Sequence, residues 1–334
     1  MNHPPLILVT GATGAVGPRV VAALHDAGYR MRTLSIDAPP DGLWPEGVDA
    51  RIGDVTDPAT VRSAMQGVVG VIHLAALLHI VNPPPILRGK YKQINVGGTA
   101  NVVEAALNAD VKRIVLFSTI AVYGASNGLV IAEDSSHHPD SFYAQTKVDA
   151  ERIVLAAKLA DGTPLGTVLR LGAVYGARIK GNYRRLLLSL ARGRFVPIGP
   201  GTNRRTLVYD KDVARAALLA LQHPCAAGGI FNVTDGQFHA MNTIIETLCT
   251  ALGRRPPRMK LPVGPVRGLA GVIEDVCRAC GFTAPIIRAT IDKYTEDVAV
   301  DGRKFRTQIG FIPEYDLMAS WRETVDEMRR SGDL

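Results

Sequence analysis

Short apolar runs alternate with helical patterns along the first half of the chain. Five runs of apolar and β-branched residues are predicted as buried parallel strands: residues 6–10, 31–36, 68–74, 113–118 and 167–171. Segments with the apolar spacing of helices lie between them. This alternation predicts an α/β fold in which a parallel sheet is wound on both faces by helices. Beyond Gly172 the pattern becomes irregular.

The first apolar run leads directly into a glycine-rich segment, residues 10–17 (TGATGAVG), and a helical pattern follows. In that order, Gly11 permits a tight turn, Gly14 lets the backbone approach a pyrophosphate, and Gly17 allows the helix to pack closely on the strand. The N-terminus of the helix would then face the anion. We therefore predict a dinucleotide-binding loop, which also includes Thr13, Ala15 and Val16.

Tyr143 and Lys147 are four residues apart in a helical pattern, so their side chains should share one helix face. A phenol has an ordinary pKa near 10 and is a poor acid or base at neutral pH. A neighbouring ammonium favours the phenolate, and we expect Lys147 to lower the pKa of Tyr143. The pair predicts a proton-transfer catalyst.

Length and composition limit the kinds of protein that this chain can be. The chain has 334 residues, of which 47% are hydrophobic, enough for a large α/β unit or two unequal lobes. No run of about 18 uncharged apolar residues occurs, and the first residues lack the features of a signal peptide. We expect a cytoplasmic protein with no membrane partner. Its four cysteines predict neither a disulfide framework nor a metal site.

Positive charge is concentrated between Arg178 and Arg215. This segment contains ten Lys and Arg residues and only two Asp residues, which gives it a net charge of +8, compared with +7 for the whole chain. A solvated basic surface is one interpretation. Nucleic acid is disfavoured, because only Tyr183 and Phe195 supply aromatic rings among these charges. A small molecule that carries a diphosphate fits better, since guanidinium groups bind phosphate oxygens bidentately.

Together, the glycine segment and the Tyr143–Lys147 pair resemble the extended branch of the short-chain dehydrogenase/reductase superfamily, in particular the NAD-dependent epimerase/dehydratase family. Further segments resemble family motifs in the same order: residues 53–57 (GDVTD), 71–76 (VIHLAA), 95–99 (NVGGT), 116–119 (LFST), 122–124 (VYG), 174–176 (VYG) and 229–233 (GIFNV). The resemblance implies a Rossmann-type sheet within residues 1–172. Residues 173–334 would form mainly a smaller substrate-binding lobe, with some elements returning to the sheet.

The resemblance also assigns residues. Thr119, Tyr143 and Lys147 match the catalytic positions, and Thr119 is preferred over Ser118, which should face the other side of its strand. Beyond the glycine loop, Tyr143 and Lys147, the matching cofactor positions are Asp37, Asp54, Val55, Leu74, Ala75, Ala76 and Asn95. The ribose-binding acid would normally stand at position 35, which is Ser35, and no arginine follows it. We expect NAD, with NADP not excluded and Asp37 as the ribose partner.

Residues 180–183 and 203–209 resemble segments of nucleotide-sugar 4-epimerases, which assigns Asn182 and Arg205 to the substrate diphosphate. One position departs from that pattern, because Ala173 stands where sugar-nucleotide enzymes usually have Asn. The C-terminal stretch resembles hydroxysteroid-dehydrogenase-like members equally well.

Ile120 and Ala121 follow Thr119, where family dehydratases and decarboxylases carry acidic residues. The predicted chemistry is therefore hydride transfer without elimination of water or decarboxylation. The predicted function is C4 epimerisation of a nucleotide-diphosphate sugar through a transient 4-keto intermediate. A 3β-hydroxysteroid-dehydrogenase-like or other alcohol oxidoreductase and a non-catalytic dinucleotide sensor are the alternatives.

The resemblance further implies a homodimer that pairs two helices of each subunit in a four-helix bundle. Candidate interface positions are Ala100, Val103, Leu107, Val148, Arg152 and Leu155. The alternative is that these residues only cover the sheet.

Overall fold

The computed structural model describes residues 4–78, 84, 86–280, 282 and 287–334. Its centre is a sheet of seven parallel strands in the order β3-β2-β1-β4-β5-β6-β10. These strands are β1 (Leu6–Thr10), β2 (Arg30–Ser35), β3 (Asp49–Ile52), β4 (Gly70–His73), β5 (Arg113–Thr119), β6 (Gly166–Leu171) and β10 (Ile230–Val233).

Four shorter strands form two separate two-stranded pairings. They are β7 (Ala173–Tyr175), β8 (Arg204–Arg205), β9 (Leu207–Tyr209) and β11 (His239–Ala240). β7 runs parallel to β9, and β8 runs antiparallel to β11.

Helices cover both faces of the large sheet and build the second lobe. They are α1 (Gly17–Asp26), α2 (Pro58–Met65), α3 (Leu87–Tyr91), α4 (Gly98–Asn108), α5 (Phe142–Ala156), α6 (Asn182–Ala191), α7 (Asp210–Gln222), α8 (Met241–Leu252), α9 (Val263–Ala279), α10 (Arg288–Thr295), α11 (Arg303–Ile309) and α12 (Leu317–Arg330). A π-helical turn, Lys92–Gly97, connects α3 to α4.

Strands β1 and β4 are hydrogen-bonded neighbours in the middle of the sheet, although two strands separate them along the chain. The strand order reverses at this point. Both strands are parallel, so the loops that follow Thr10 and His73 leave the same edge of the sheet. In open α/β sheets ligands bind in the crevice at such a reversal. The topology therefore places the glycine loop at the binding edge.

Two apolar layers sandwich the sheet, one under α1 and α7 and the other under α2, α4 and α5. Burial on both faces is the reason the strands read as continuous apolar runs. The predicted fold class, a Rossmann-type doubly wound parallel sheet with a smaller lobe, is confirmed.

The second lobe has its own apolar core, in which the Trp321 ring stacks on Tyr175 with ring centroids 4.4 Å apart. Between the elements of this lobe the chain returns once to the large sheet, where β10 pairs with β6. The division at residue 172 remains a prediction.

Among the described residues, no helix is both long and apolar enough to cross a bilayer. Of the predicted interface positions, Val103 and Val148 are buried within this one chain, whereas Leu107 and Arg152 are exposed. Both buried valines therefore already have an intrachain packing role.

Candidate active site

The glycine loop is shaped by close backbone approaches. Gly11 has φ +68°, and a Cβ there would lie 2.7 Å from the backbone of Ala75. A Cβ on Gly17 would overlap the carbonyl oxygen of Ala12. The backbone N–H of Gly14 donates to the Gly11 carbonyl at 3.0 Å. The first and third glycines are thus required sterically, and Gly14 itself is exposed at the crevice.

The segment after β4 lies against this loop. Leu74 N–H donates to the Thr10 carbonyl at 3.1 Å, and Ala75 N–H donates to the Thr10 hydroxyl at 3.4 Å. Ala76 follows, half-buried. The structure thus brings the predicted residues 74–76 together with the glycine loop.

His73 is a buried residue that the sequence did not single out. Its ring nitrogens lie 2.6 Å from the Thr10 hydroxyl and 3.0 Å from the Thr99 hydroxyl. Burial, and secondarily the charge of the nearby Lys147, lowers the pKa of His73 to about 3. His73 is therefore neutral at physiological pH and ties β1, β4 and α4 together.

At the end of β2, Ser35 is buried, and its hydroxyl accepts a hydrogen bond from the backbone N–H of Thr13 at 3.2 Å. Asp37 is exposed two residues further on. Asp54 is also exposed, and its carboxylate accepts from Thr56 N–H at 2.8 Å. Val55 is buried against Gly98 of α4. Contacts of Asp37, Asp54 and Val55 with a cofactor stay predictions.

Asn95 lies in the π-helical turn and is buried. Its amide accepts from Leu77 N–H at 2.7 Å and donates to the Leu77 carbonyl and to the Thr146 hydroxyl at 3.1 and 3.0 Å. These bonds connect the segment after β4 to α5. Asn95 therefore positions both elements, and a direct cofactor contact stays a prediction.

Tyr143 and Lys147 lie in α5, which begins at Phe142 after the Ser141 side chain caps its N-terminus. Burial raises the pKa of Tyr143, and Tyr91 raises it further. The net shift in the cofactor-free protein is therefore upward, and a lowering of the Tyr143 pKa by Lys147 stays a prediction. Burial disfavours the charged phenolate, and this effect sets the direction of the shift.

Lys147 is almost fully buried. Burial lowers its pKa to about 8, and Glu151, one turn further along α5, opposes that shift. Lys147 also interacts electrostatically with His73 at the end of β4. The ammonium is thus held at the carboxyl edge of the sheet, where a dinucleotide would lie.

Ser118 and Thr119 end β5 but have different surroundings. Ser118 is buried, and its hydroxyl donates to the carboxylate of Glu151. Thr119 is half-buried, and its oxygen accepts from Ala121 N–H at 3.2 Å, so this bond does not use the hydroxyl proton. The geometry supports Thr119 as the residue that can donate to a substrate oxygen.

Behind β5 lies a buried ion pair that sequence reasoning missed. Arg170 of β6 donates from Nε and Nη2 to the Glu151 carboxylate, the shorter bond being 2.7 Å. Its Nη1 donates to the Tyr123 hydroxyl at 2.7 Å, and Tyr123 donates to the Asn232 side chain at 2.8 Å. The network joins α5, β6, β10 and the turn after Thr119.

Arg205, on β8, donates from Nη2 to the carbonyls of Lys293 and Tyr294 at 2.5 and 2.8 Å. Its Nε is buried and has no hydrogen-bond partner among the described residues. Asn182 is exposed at the first position of α6, beside Tyr183, whose pKa senses the Arg205 charge. The structure thus places Arg205 next to the N-terminal end of α6.

Much of the predicted basic excess is neutralised in the fold. Four of the ten basic residues pair with acids outside the segment: Arg184 with Asp333, Arg204 with Asp297, Lys211 with Glu323 and Arg215 with Glu314. The local charge of +8 therefore overstates the field that a substrate meets.

The residues present fit a dinucleotide. The N-terminus of α1 follows a loop in which Gly14 is exposed and has no side chain, and no side chain in the described chain caps this end. Unsatisfied N–H groups at a helix N-terminus bind phosphate.

Comparison with known proteins agrees with this geometry. The model of the NAD dependent epimerase/dehydratase family matches residues 7–234. An N-acetyl-α-D-glucosaminyl-diphospho-ditrans,octacis-undecaprenol 4-epimerase of Escherichia coli O157:H7 is 28% identical, over 96% of this chain and 94% of that one. A UDP-glucose 4-epimerase of Vibrio cholerae is 29% identical, over 99% and 97%.

A 3β-hydroxysteroid dehydrogenase/Δ5→4-isomerase of Mycobacterium tuberculosis is 28% identical, over 96% of this chain and 89% of that one. Among solved structures, MoeE5 in complex with UDP-glucose and NAD superposes with a TM-score of 0.76 at 26% identity, covering 97% of this chain and 99% of MoeE5. The chain belongs to the NAD-dependent epimerase/dehydratase family of extended short-chain dehydrogenases/reductases, and NAD is its cofactor.

Proposed function

We propose that the protein inverts C4 of a hexose that is linked through a diphosphate to a nucleotide, by way of a transient 4-keto sugar. The observation that carries the proposal is the turn after Thr119. Ile120 and Ala121 occupy it, so those positions supply no second acid or base beside the set that oxidises an alcohol. Elimination of water and decarboxylation need such a group. Oxidation followed by reduction at the same carbon does not.

Three side chains carry the chemistry. Tyr143 removes the proton of the sugar hydroxyl and returns one when the ketone is reduced. Thr119 donates a hydrogen bond to the same oxygen, and Lys147 binds the nicotinamide ribose. Bound NAD supplies the redox chemistry, since its nicotinamide ring accepts a hydride from a secondary alcohol and gives it back. Inversion requires the ketone to turn over within the pocket.

The protonation states suit that cycle. Lys147 has a pKa of about 8, so it is mostly cationic at neutral pH. The raised pKa of Tyr143 keeps the phenol protonated in the cofactor-free protein. In this state the residue can donate a proton, and oxidation requires the Lys147 cation to stabilise the phenolate.

The cofactor would be held along the carboxyl edge of the sheet. The loop from Gly11 to Gly17 would hold its pyrophosphate, and Asp37 would bind the adenosine ribose. Asp54 and Val55 would contact the adenine, and residues 74–76 would contact the dinucleotide between the glycine loop and Tyr143.

Arg205 and Asn182 would bind the substrate diphosphate. The buried Nε of Arg205 lacks a partner in the described chain, and an anion would satisfy it. The two 4-epimerase relatives have names that specify diphosphate-linked or UDP-linked sugars, and MoeE5 binds UDP-glucose. The diphosphate is the feature common to these ligands.

Ala173 favours a second candidate, a net oxidoreductase of hydroxysteroids or similar alcohols. It stands at a position where an Asn amide is usual in sugar-nucleotide enzymes, and it is half-buried beside the apolar core of the second lobe. The mycobacterial relative is named for that activity.

We further propose a homodimer formed through α4 and α5, in which the exposed Leu107 and Arg152 contribute to the interface. Light scattering at micromolar concentration should give twice the mass of one chain. A monomer under those conditions would rule out this assembly.

Cofactor stoichiometry separates the two reactions. An epimerase regenerates NAD in every cycle, so purified protein incubated with UDP-hexoses should turn over many times without accumulating NADH. An oxidoreductase should form one NADH per molecule of hydroxysteroid oxidised. Turnover of the steroid with stoichiometric NADH, and none of any UDP-hexose, would replace the first proposal by the second.

A further inference from the structure

Helix α9 packs on α10 with Ala270 and Gly271 buried, and three salt bridges join the two helices. Arg267 pairs with Asp292 of α10 at 2.7 Å, and Arg288 of α10 binds Glu274 and Asp275 at 3.3 and 2.5 Å. The Arg288 guanidinium lies directly over Gly271 of α9. These ion pairs are partly exposed and lie beside the buried contact between α9 and α10.

The opposite side of α9 is apolar and exposed. Leu269, Val272 and Val276 are 62%, 60% and 57% exposed, and their spacing places them on one face. A soluble helix normally buries such a face. Here α9 instead buries Ala270 and Gly271 and leaves this face exposed.

A basic segment leads into this helix. Arg254, Arg255 and Arg258 are exposed and form no ion pair within the described part of the chain. Met259, 66% exposed, lies among them. Cationic and apolar groups therefore occupy adjoining stretches at the start of α9.

We propose that residues 254–276 form a docking surface for an anionic lipid bilayer. An amphipathic helix buries its apolar face in the boundary between headgroups and acyl chains, and adjacent Lys and Arg residues are attracted to anionic headgroups. Three unpaired arginines match that charge. A second copy of the chain carries the same arginines and would bring like charges together, which disfavours self-association through this face.

Helix α10 connects this surface to the proposed diphosphate site of the second lobe. Arg205 donates to the carbonyls of Lys293 and Tyr294 in α10, the helix on which α9 is fixed. A bilayer bound to α9 would lie one helix away from the proposed diphosphate site. The earlier expectation of no membrane partner rested on bilayer-spanning segments, and a helix that lies in the interface needs none.

Vesicle sedimentation tests the proposal with the full-length protein. Wild type should sediment with vesicles of phosphatidylcholine and phosphatidylglycerol, and binding should weaken as salt is raised. Leu269→Ser/Val272→Ser/Val276→Ser should abolish sedimentation. Ile312→Ser changes a residue of similar exposure far along the chain, and it should sediment as wild type does.

A second pair of variants tests the contribution of the arginine charges to vesicle binding. Arg254→Gln/Arg258→Gln should weaken binding about 25-fold, because each basic residue near an anionic surface contributes about fivefold. Arg30→Gln/Arg62→Gln removes two exposed charges from the other lobe and should have little effect. Circular dichroism and NAD binding should verify that each variant is folded.

Two results would overturn the proposal. One is wild-type protein that remains in the supernatant with anionic vesicles at low salt. The other is a triple-serine variant that changes the oligomeric mass while wild type binds no vesicles, since the apolar face would then be a subunit interface.

Discussion

The Ser118 hydroxyl donates a hydrogen bond to the Glu151 carboxylate, and this bond fixes the end of β5 against α5. Thr119 lies on the other side of the strand with its hydroxyl proton available. Thr119→Ala should lower kcat by about 10²-fold or more, because it removes a hydrogen-bond donor to the reacting oxygen.

Ser118→Ala is the matched control for Thr119→Ala. It leaves a buried carboxylate with one donor fewer, so we expect a loss of about 1–3 kcal/mol in unfolding free energy with kcat nearly unchanged. Steady-state kinetics together with thermal melts distinguish the two variants. If Ser118→Ala were the inactive protein and Thr119→Ala the active one, the assignment would be reversed.

Lys147 should destabilise the cofactor-free protein. Burial lowers its folded pKa to about 8, below the unfolded value of 10.5, so the folded state binds fewer protons between those values. Stability therefore rises with pH across that window, and the charge costs folding free energy below pH 8. Lys147→Met should raise the stability at pH 7, by up to about 3 kcal/mol, while abolishing activity.

Urea unfolding of the cofactor-free Lys147→Met variant at pH 7 and pH 10 measures this effect. The gain should shrink at the higher pH, where the lysine is neutral in the folded protein. A variant less stable than wild type at pH 7 would mean that Lys147 contributes stabilising contacts that exceed its desolvation.

His73 should make the protein acid-sensitive. Its folded pKa of about 3 lies below the ordinary value of 6.5, so its contribution is complete above pH 6.5 and is lost as the pH falls. Between pH 6.5 and pH 5 this group alone should cost about 2 kcal/mol. His73→Gln, which cannot titrate, should show a smaller fall over that range. Parallel stability curves for the two proteins would contradict the neutral, buried state of His73.

Arg205→Ala should weaken the binding of a nucleoside diphosphate by about ten- to a hundredfold, since a charge-assisted bond from a partly buried guanidinium is lost. Isothermal titration of the NAD-loaded protein with UDP measures this. Arg192→Ala removes an exposed charge from the same basic segment and serves as the control. Equal affinities for UDP in wild type and Arg205→Ala would remove Arg205 from the substrate site.

The sequence predicted what depends on local pattern. Five sheet strands were placed within a few residues, because burial on both faces makes them continuously apolar. The apolar pattern does not predict β3, because it is an edge strand with three exposed residues of four and two charged ones, Asp49 and Arg51. The strand β10 lies in a segment that resembles a family motif, residues 229–233, but its place in the sheet depends on long-range pairing with β6.

Features that depend on tertiary contacts could not be read from the pattern. The Glu151–Arg170 pair joins a helix to a strand 19 residues away, and nothing in either local segment marks those charges as buried. The direction of the Tyr143 pKa shift follows from burial, which the spacing to Lys147 does not report. The acids that neutralise the basic segment, such as Asp297 and Glu323, come from the C-terminal third of the chain.

In the proposed epimerisation, the hydrogen removed from C4 returns to the same carbon on the opposite face. The most direct test is to incubate the enzyme with UDP-glucose deuterated at C4 and to follow the products by NMR. We expect UDP-galactose that keeps deuterium at C4, no accumulation of NADH, and a loss of at least 10²-fold in rate for Tyr143→Phe. Loss of the deuterium into released cofactor, or a 4-keto sugar as the end product, would contradict it.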